Sequence, residues 1–128
     1  MNNALTALQA YSAMLCFLDN YYDKTLSDDL GSLLGDLQLL SDGSGPWDPA
    51  AWQDWMRALN SDQPVTMLGA FRAMINFLNA YYARTSSTDI KILLNSMQEK
   101  ENEKVISIVW DNWTECINEV IKRNRKAI

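Results

Sequence analysis

The chain has 128 residues, of which 48% are hydrophobic and 21% charged, a composition typical of one globular domain. Its net charge of -5 disfavours a nucleic-acid ligand, because binding to phosphates requires clustered Lys and Arg. No segment approaches the roughly 18 apolar residues of a membrane span, and the first residues lack the pattern of a signal peptide. We therefore expect a cytoplasmic protein with neither nucleic acid nor membrane as partner.

The first predicted helix begins after Thr6, because Thr6 and Gln9 have the spacing of a capping box. A second helix is predicted after Ser27, an N-cap residue followed by two aspartates that favour the positive end of the helix dipole. A third is predicted from Pro49, because Asp48 can cap it and proline is tolerated at the first helical position. Apolar residues recur every three or four positions within each helix, so each should bury one face.

Residues 65–98 resemble residues 5–38 closely enough to predict a duplication. A shift of 60 positions aligns the two segments with 15 of 34 residues identical. The predicted repeats cover about 5–60 and 65–122, followed by a basic tail at 123–128. The last helix should be longer, because residues 99–104 have helix-forming composition in place of the glycine-rich loop. We expect a single all-α domain, a compact bundle of about six helices with pseudo-twofold symmetry.

Residues that could support catalysis or bind a cofactor are scarce. The chain has no histidine, which excludes Ser-His and Cys-His nucleophiles, and no glycine-rich phosphate loop. Cys16 and Cys116 lie far apart in apolar patterns, so we expect two reduced thiols. Asp28 and Asp29 could act as an acid-base pair, or hold a metal ion with Asp36, but adjacent acids are also the usual composition of a helix start. We expect no enzyme activity, cofactor or metal.

Acidic charge is concentrated in the first half of the chain. Residues 1–60 contain eight acidic and two basic residues, whereas residues 61–128 contain eight acidic and nine basic residues. A solvated surface would explain such an excess of acidic charge. The second repeat, however, lacks this excess, which favours a surface that binds a basic partner. Trp47 lies in the acidic loop. Both packing within the protein and contact with a partner protein are open for its side chain. The predicted acidic face consists of Asp19, Asp23, Asp28, Asp29, Asp36, Asp42, Trp47 and Asp48.

Residues 10–55 contain a combination of short motifs that resembles a known family. The motifs are Ala13-Met14, Phe17-Leu18, Tyr21-Tyr22, Lys24-Thr25, Ser27-Asp28-Asp29-Leu30-Gly31, Leu33-Leu34-Gly35, Asp42-Gly43, Asp48-Pro49-Ala50 and Trp52-Gln53-Asp54-Trp55. Together they resemble the small all-α immunity proteins of bacterial contact-dependent growth inhibition and related polymorphic-toxin systems. The second repeat matches only in part, because it lacks the Asp-Gly loop and the Asp-Pro-Ala helix start.

The resemblance implies a non-enzymatic cytoplasmic protein that binds and blocks a cognate toxin domain. Toxins of these systems that act in the cytosol are often basic nucleases, so we expect the acidic face to be the toxin-binding surface and the chain to be a monomer in the complex. The alternative is a helical adaptor or regulatory protein that docks a partner's helix in a groove between the repeats. A small carboxylate enzyme is the third hypothesis, and loss of activity without loss of folding in an Asp29→Ala variant would identify it.

Overall fold

The computed structural model describes residues 4–60, 65–98 and 103–126, and this part of the chain forms six helices without an extended strand. The predicted all-α class is therefore confirmed. The helices are α1 (Ala7–Thr25), α2 (Asp28–Asp36), α3 (Pro49–Leu59), α4 (Met67–Thr85), α5 (Thr88–Gln98) and α6 (Glu103–Lys126). In the described part of the chain, no helix is long and apolar enough to cross a membrane.

The helices of the first half begin where their capping residues predict. The Thr6 hydroxyl accepts from the Gln9 amide at 3.0 Å, while the Gln9 side chain accepts from the Thr6 amide at 2.8 Å, which is the predicted capping box. Ser27 caps α2 and Asp48 caps α3, each through a side-chain oxygen that accepts from a backbone amide in the first turn of the helix. With 24 residues, α6 is longer than the 11-residue α3, as predicted. Residues 99–102 lie outside the described part.

Two helix pairs, α1 with α6 and α3 with α4, form the main packing contacts of the core. The indoles of Trp55 and Trp113 are fully buried in this core. Trp113 donates through Nε1 to the carbonyl of Met67 at 3.0 Å, and Trp55 donates to the carbonyl of Ala7 at the same distance. Each tryptophan therefore ties the third helix of its half to the start of the first helix of that half.

Polar contacts join the two halves of the chain beside the apolar core. Leu5 and Val65 exchange backbone hydrogen bonds of 2.7 and 3.1 Å. The Ser27 hydroxyl donates to Asp89 and the Ser87 hydroxyl donates to Asp29, each at 2.6 Å. The N-termini of α2 and α5 are therefore bonded to each other through serine–carboxylate contacts, which are stronger than neutral hydrogen bonds.

The expectation of two reduced thiols is wrong for this structure, because Cys16 and Cys116 are joined in a disulfide. α6 packs along α1 and brings the two Cα atoms to 5.7 Å, which is within the range that a disulfide spans. The two residues are 100 positions apart. Their pairing depends on the packing of the first helix against the last, so their local sequence patterns could not predict it.

Candidate functional site

The predicted acidic face occupies three neighbouring parts of the first half, and all eight of its side chains are exposed. Asp19 and Asp23 lie on α1, one helical turn apart. Asp28, Asp29 and Asp36 lie on α2. Asp42, Trp47 and Asp48 belong to the connection between α2 and α3. The residues of the acidic face are therefore spread along α1, α2 and the loop, and they do not converge on one point.

The connection between α2 and α3 is a closed, hydrogen-bonded loop. The Trp47 amide donates to the Gln38 carbonyl at 2.7 Å, and the Leu40 amide donates to the Gly45 carbonyl at 2.8 Å. Gly43 closes the tip with a φ of 73°, a conformation that glycine adopts without steric cost. Trp47 is 74% exposed although its backbone is bonded in place. The loop therefore presents a large aromatic side chain to solvent from a fixed position.

The start of this loop is anchored by a buried tyrosine. Tyr11 of α1 is fully buried, and its hydroxyl donates to the Leu37 carbonyl at 2.7 Å, where α2 ends. Burial, followed by the negative charge of Asp48, raises the pKa of Tyr11, so this hydroxyl stays protonated and keeps donating. Asp48 itself caps α3 by accepting from the Ala50 amide at 2.9 Å.

Asp42 is also held by its own loop. Its Oδ1 accepts from the Ser44 hydroxyl at 2.7 Å and from the Ser44 amide at 2.9 Å. These bonds favour the carboxylate, so they lower the pKa of Asp42. Asp42 and Asp48 therefore each combine a negative charge with a bond that shapes the loop.

A Ser44→Ala variant is expected to raise the pKa of Asp42, because the hydroxyl bond that most stabilises the carboxylate is lost. A depressed folded-state pKa contributes stability above the unfolded pKa, and that contribution is lost as the pH falls through the folded value. The variant should therefore lack this contribution to stability at neutral pH. Its stability should fall less than that of the unaltered chain as the pH drops through the pKa of Asp42. A carboxyl carbon NMR titration measures the change, with Asp28 as the internal control. An unaltered Asp42 titration would contradict the assignment.

Two acids of α2 lie close to the C-terminal part of α4. Burial raises the pKa of Tyr81, and the charges of Asp36 and Asp29 raise it further. Both carboxylates therefore act electrostatically on Tyr81. Asp29 is the acid that bonds Ser87, so it has a structural role as well as a charge. Adjacency in sequence did not distinguish Asp29 from Asp28.

Asp54 on α3 extends this charged region and was missed in the sequence analysis. It lies 3.0 Å from the Arg57 guanidinium and 3.7 Å from that of Arg84. Arg84 also lies over the Tyr81 ring, 5.7 Å from its centroid, a cation–π contact. The signal that could have revealed it is Arg57 three positions after Asp54, a helical ion-pair spacing.

On the other side of α2, Asp19 lines a cavity of about 450 Å³ together with Leu34, Gln38 and Arg123. This cavity lies between α1, the end of α2 and the last part of α6. Asp19 therefore shares this cavity with a basic side chain of the second half, whereas Asp42 and Asp48 belong to the loop. Asp19 belongs to the margin of the acidic face.

The arrangement does not support the metal site considered for Asp28, Asp29 and Asp36. In the ranges that the structure describes, no three His, Cys, Asp or Glu side chains are placed to hold a metal ion together. Asp29 also accepts a serine hydroxyl rather than pairing with Asp28. What the acidic face offers chemically is exposed negative charge around a fixed, exposed indole.

Comparisons with known proteins give no further guidance. The chain matches no family model, no curated protein and no solved structure. The interpretation of the acidic face therefore rests on its residues and their geometry.

Proposed function

We propose that this chain is an immunity protein that binds a cognate toxin domain, a basic nuclease, through the acidic face and thereby neutralises it. A nuclease carries Lys and Arg where it binds phosphates, and that surface attracts an exposed set of carboxylates. Covering it excludes the nucleic-acid substrate. No enzymatic step and no cofactor is required of the inhibitor.

The observation that carries the proposal is the exposure of Trp47. Its indole is 74% exposed, whereas Trp55 and Trp113 are fully buried. Tryptophan is among the residues most enriched in the energetic centres of protein interfaces, and a backbone fixed in advance reduces the entropy lost on binding. Asp42 and Asp48 flank the indole in the loop, so an apolar contact and an electrostatic contact are available to one partner.

Electrostatics would give the complex its speed and its selectivity. Residues 1–60 carry a large excess of aspartate over basic residues, so a basic partner is steered toward this half of the molecule. Complementary charge raises the association rate and disfavours partners of like charge. Fast association suits an inhibitor that must act before a toxin reaches its substrate.

We also propose that the two sequence repeats fold as equivalent halves about a pseudo-twofold axis. Contacts that recur at matching positions support this: Ser27 bonds Asp89 as Ser87 bonds Asp29, and Trp55 bonds Ala7 as Trp113 bonds Met67. The second half then supports the fold, while the acidic first half binds the toxin.

The function is tested by co-expression with a candidate toxin domain from a neighbouring gene. We expect cells that produce the toxin domain alone to lose viability and cells that also produce this chain to survive. The control is an equal amount of a chain with Trp47→Ala and reversed charge at Asp28 and Asp36. Death despite full-level expression of the unaltered chain would reject the proposal.

A Trp47→Ala variant is expected to weaken toxin binding by at least about 30-fold, the effect of losing an interface residue worth about 2 kcal/mol. Its melting temperature should hardly change, because the side chain is mostly exposed. Isothermal titration calorimetry with the toxin domain measures the affinity.

The matched control is Ile92→Ala, which removes an apolar side chain that is 53% exposed on α5. It also tests the helical-adaptor alternative, since Ile92 lines a cavity of about 190 Å³ with Tyr21 and Leu30 at the junction of α1, α2 and α5. A loss of affinity on Ile92→Ala, with none on Trp47→Ala, would place binding in that groove and favour the adaptor.

A further inference from the structure

The disulfide between Cys16 and Cys116 lies between two cavities rather than deep in the core. One cavity, of about 450 Å³, is lined by Cys16 but not by Cys116. The other, of about 410 Å³, is lined by both residues. Cys16 is half-buried, whereas Cys116 is 1% exposed. Cys16 is therefore the more exposed residue of the pair, so we expect a reagent in solution to reach its sulfur first.

A polar side chain lies directly beside the bond. The Asn20 amide nitrogen lies 3.6 Å from the sulfur of Cys116 and 4.0 Å from that of Cys16. It also donates to the Asn112 side-chain oxygen at 3.0 Å. Because an amide nitrogen carries two hydrogens, one can hold Asn112 while the other points to sulfur. The donor lies closer to the sulfur of Cys116, which is the more buried residue of the two.

Charged groups surround both cavities. Lys122, Glu115 and Glu119 line the cavity that contains both sulfurs, and Arg123 and Asp19 line the other. The positive charges favour a thiolate and the negative charges oppose it. Since both signs are present on each side, the two sulfurs differ instead in the exposure of their residues and in their distance from the Asn20 amide nitrogen.

We propose that the sulfur of Cys16 is a thiol-exchange site that opens this disulfide in the folded protein. The co-reactant is a dithiol reductant, and one of its thiolates attacks the sulfur of Cys16. The S–S bond breaks, a mixed disulfide forms at Cys16, and Cys116 leaves with the electron pair as a thiolate beside Asn20. The second thiol of the reductant, deprotonated, then attacks its own sulfur in the mixed disulfide. Cys16 is released as a thiolate, and the reductant becomes a cyclic disulfide.

The fold does not depend on this bond alone. Phe17 and Trp113, next to the two cysteines along α1 and α6, have ring centroids 6.1 Å apart and are buried. The helices therefore stay packed when the covalent link opens. In general, reducing compartments keep thiols reduced and oxidising compartments preserve disulfides. This inference does not depend on the proposed binding of a toxin.

The test is the rate at which dithiothreitol reduces the native, full-length protein without denaturant, followed by alkylation and mass spectrometry. We expect the rate to rise in proportion to the dithiothreitol concentration. An Asn20→Ala variant should react about tenfold more slowly, because the leaving thiolate loses its hydrogen bond. The control is Asn79→Ala, which alters an exposed asparagine on α4 and should leave the rate unchanged. Unfolding rates of all three proteins are measured in urea.

Single-cysteine variants give an independent readout. Cys116→Ser leaves the Cys16 thiol and Cys16→Ser leaves the Cys116 thiol, and each is reacted with an aromatic disulfide. The Cys16 thiol should react at least about tenfold faster, because access governs exchange. A reduction rate that ignores dithiothreitol concentration and equals the unfolding rate would overturn the proposal. So would faster reaction at Cys116, or an Asn20→Ala rate equal to that of the unaltered protein.

Discussion

Replacing Trp113 by alanine is expected to lower the free energy of unfolding by about 3–5 kcal/mol, the usual cost of removing a large aromatic side chain from a core. The indole is fully buried, and its ring meets those of Phe17 and Phe71 at centroid distances of 6.1 and 5.8 Å. Domains are commonly stable by only about 5–15 kcal/mol. The loss is therefore a large fraction of the total, and urea denaturation measures it.

Two other tryptophans provide the controls for this substitution. Trp55→Ala should cost a similar amount, because Trp55 is equally buried and its indole bonds the Ala7 carbonyl as that of Trp113 bonds the Met67 carbonyl. Trp110→Ala should cost less, because Trp110 is only partly buried against the core. A Trp113→Ala chain that loses less than about 1 kcal/mol would contradict the packing described for α6.

Reversing two charges of the acidic face is expected to weaken the proposed toxin binding by about 10- to 100-fold. The variant is Asp28→Lys with Asp36→Lys, two exposed acids of α2. Each reversal replaces an attraction to a basic partner by a repulsion, and close charge pairs across interfaces are worth about one to several kcal/mol. Asp29 is left unaltered, because its carboxylate accepts from Ser87 and its replacement would disturb the fold.

The matched control for this variant reverses the same number of charges outside the acidic face. Asp111→Lys with Glu115→Lys alters two exposed residues of α6 and changes the net charge equally. Its affinity should remain within about threefold of the unaltered chain if the partner contacts α2 and the loop, since exposed charges outside the contact are screened by salt. Calorimetric titration of both variants separates local contact from net charge. Equal losses in the two variants would show that net charge alone governs binding.

Local sequence signals were sufficient to locate the helices. The capping box at Thr6, Ser27 before two aspartates, and Asp48 before Pro49 each act within four residues, so their effects do not depend on the rest of the fold. The exposure of the acidic residues followed from the same patterns, because they fall outside the apolar stripes. The all-α class could therefore be predicted from the chain alone.

Contacts between distant residues could not be predicted in this way. The disulfide joins positions 100 apart, and its formation depends on α6 lying along α1. Asp29 and Asp28 look alike in sequence, but only the packing of α2 against α5 selects Asp29 as the partner of Ser87. The two serine–aspartate contacts do correspond to a sequence pattern, since Ser27 and Asp29 recur at matching positions as Ser87 and Asp89.

The proposed electrostatic contact is tested most directly by the salt dependence of association between the unaltered chain and the toxin domain proposed as its partner. Stopped-flow fluorescence gives the association rate constant at each salt concentration. We predict a fall of at least about tenfold between about 0.05 M and about 0.5 M sodium chloride. The Asp28→Lys, Asp36→Lys variant should show a clearly shallower fall. A rate constant that stays the same across this range, in a complex that still forms, would contradict the central role of the acidic face.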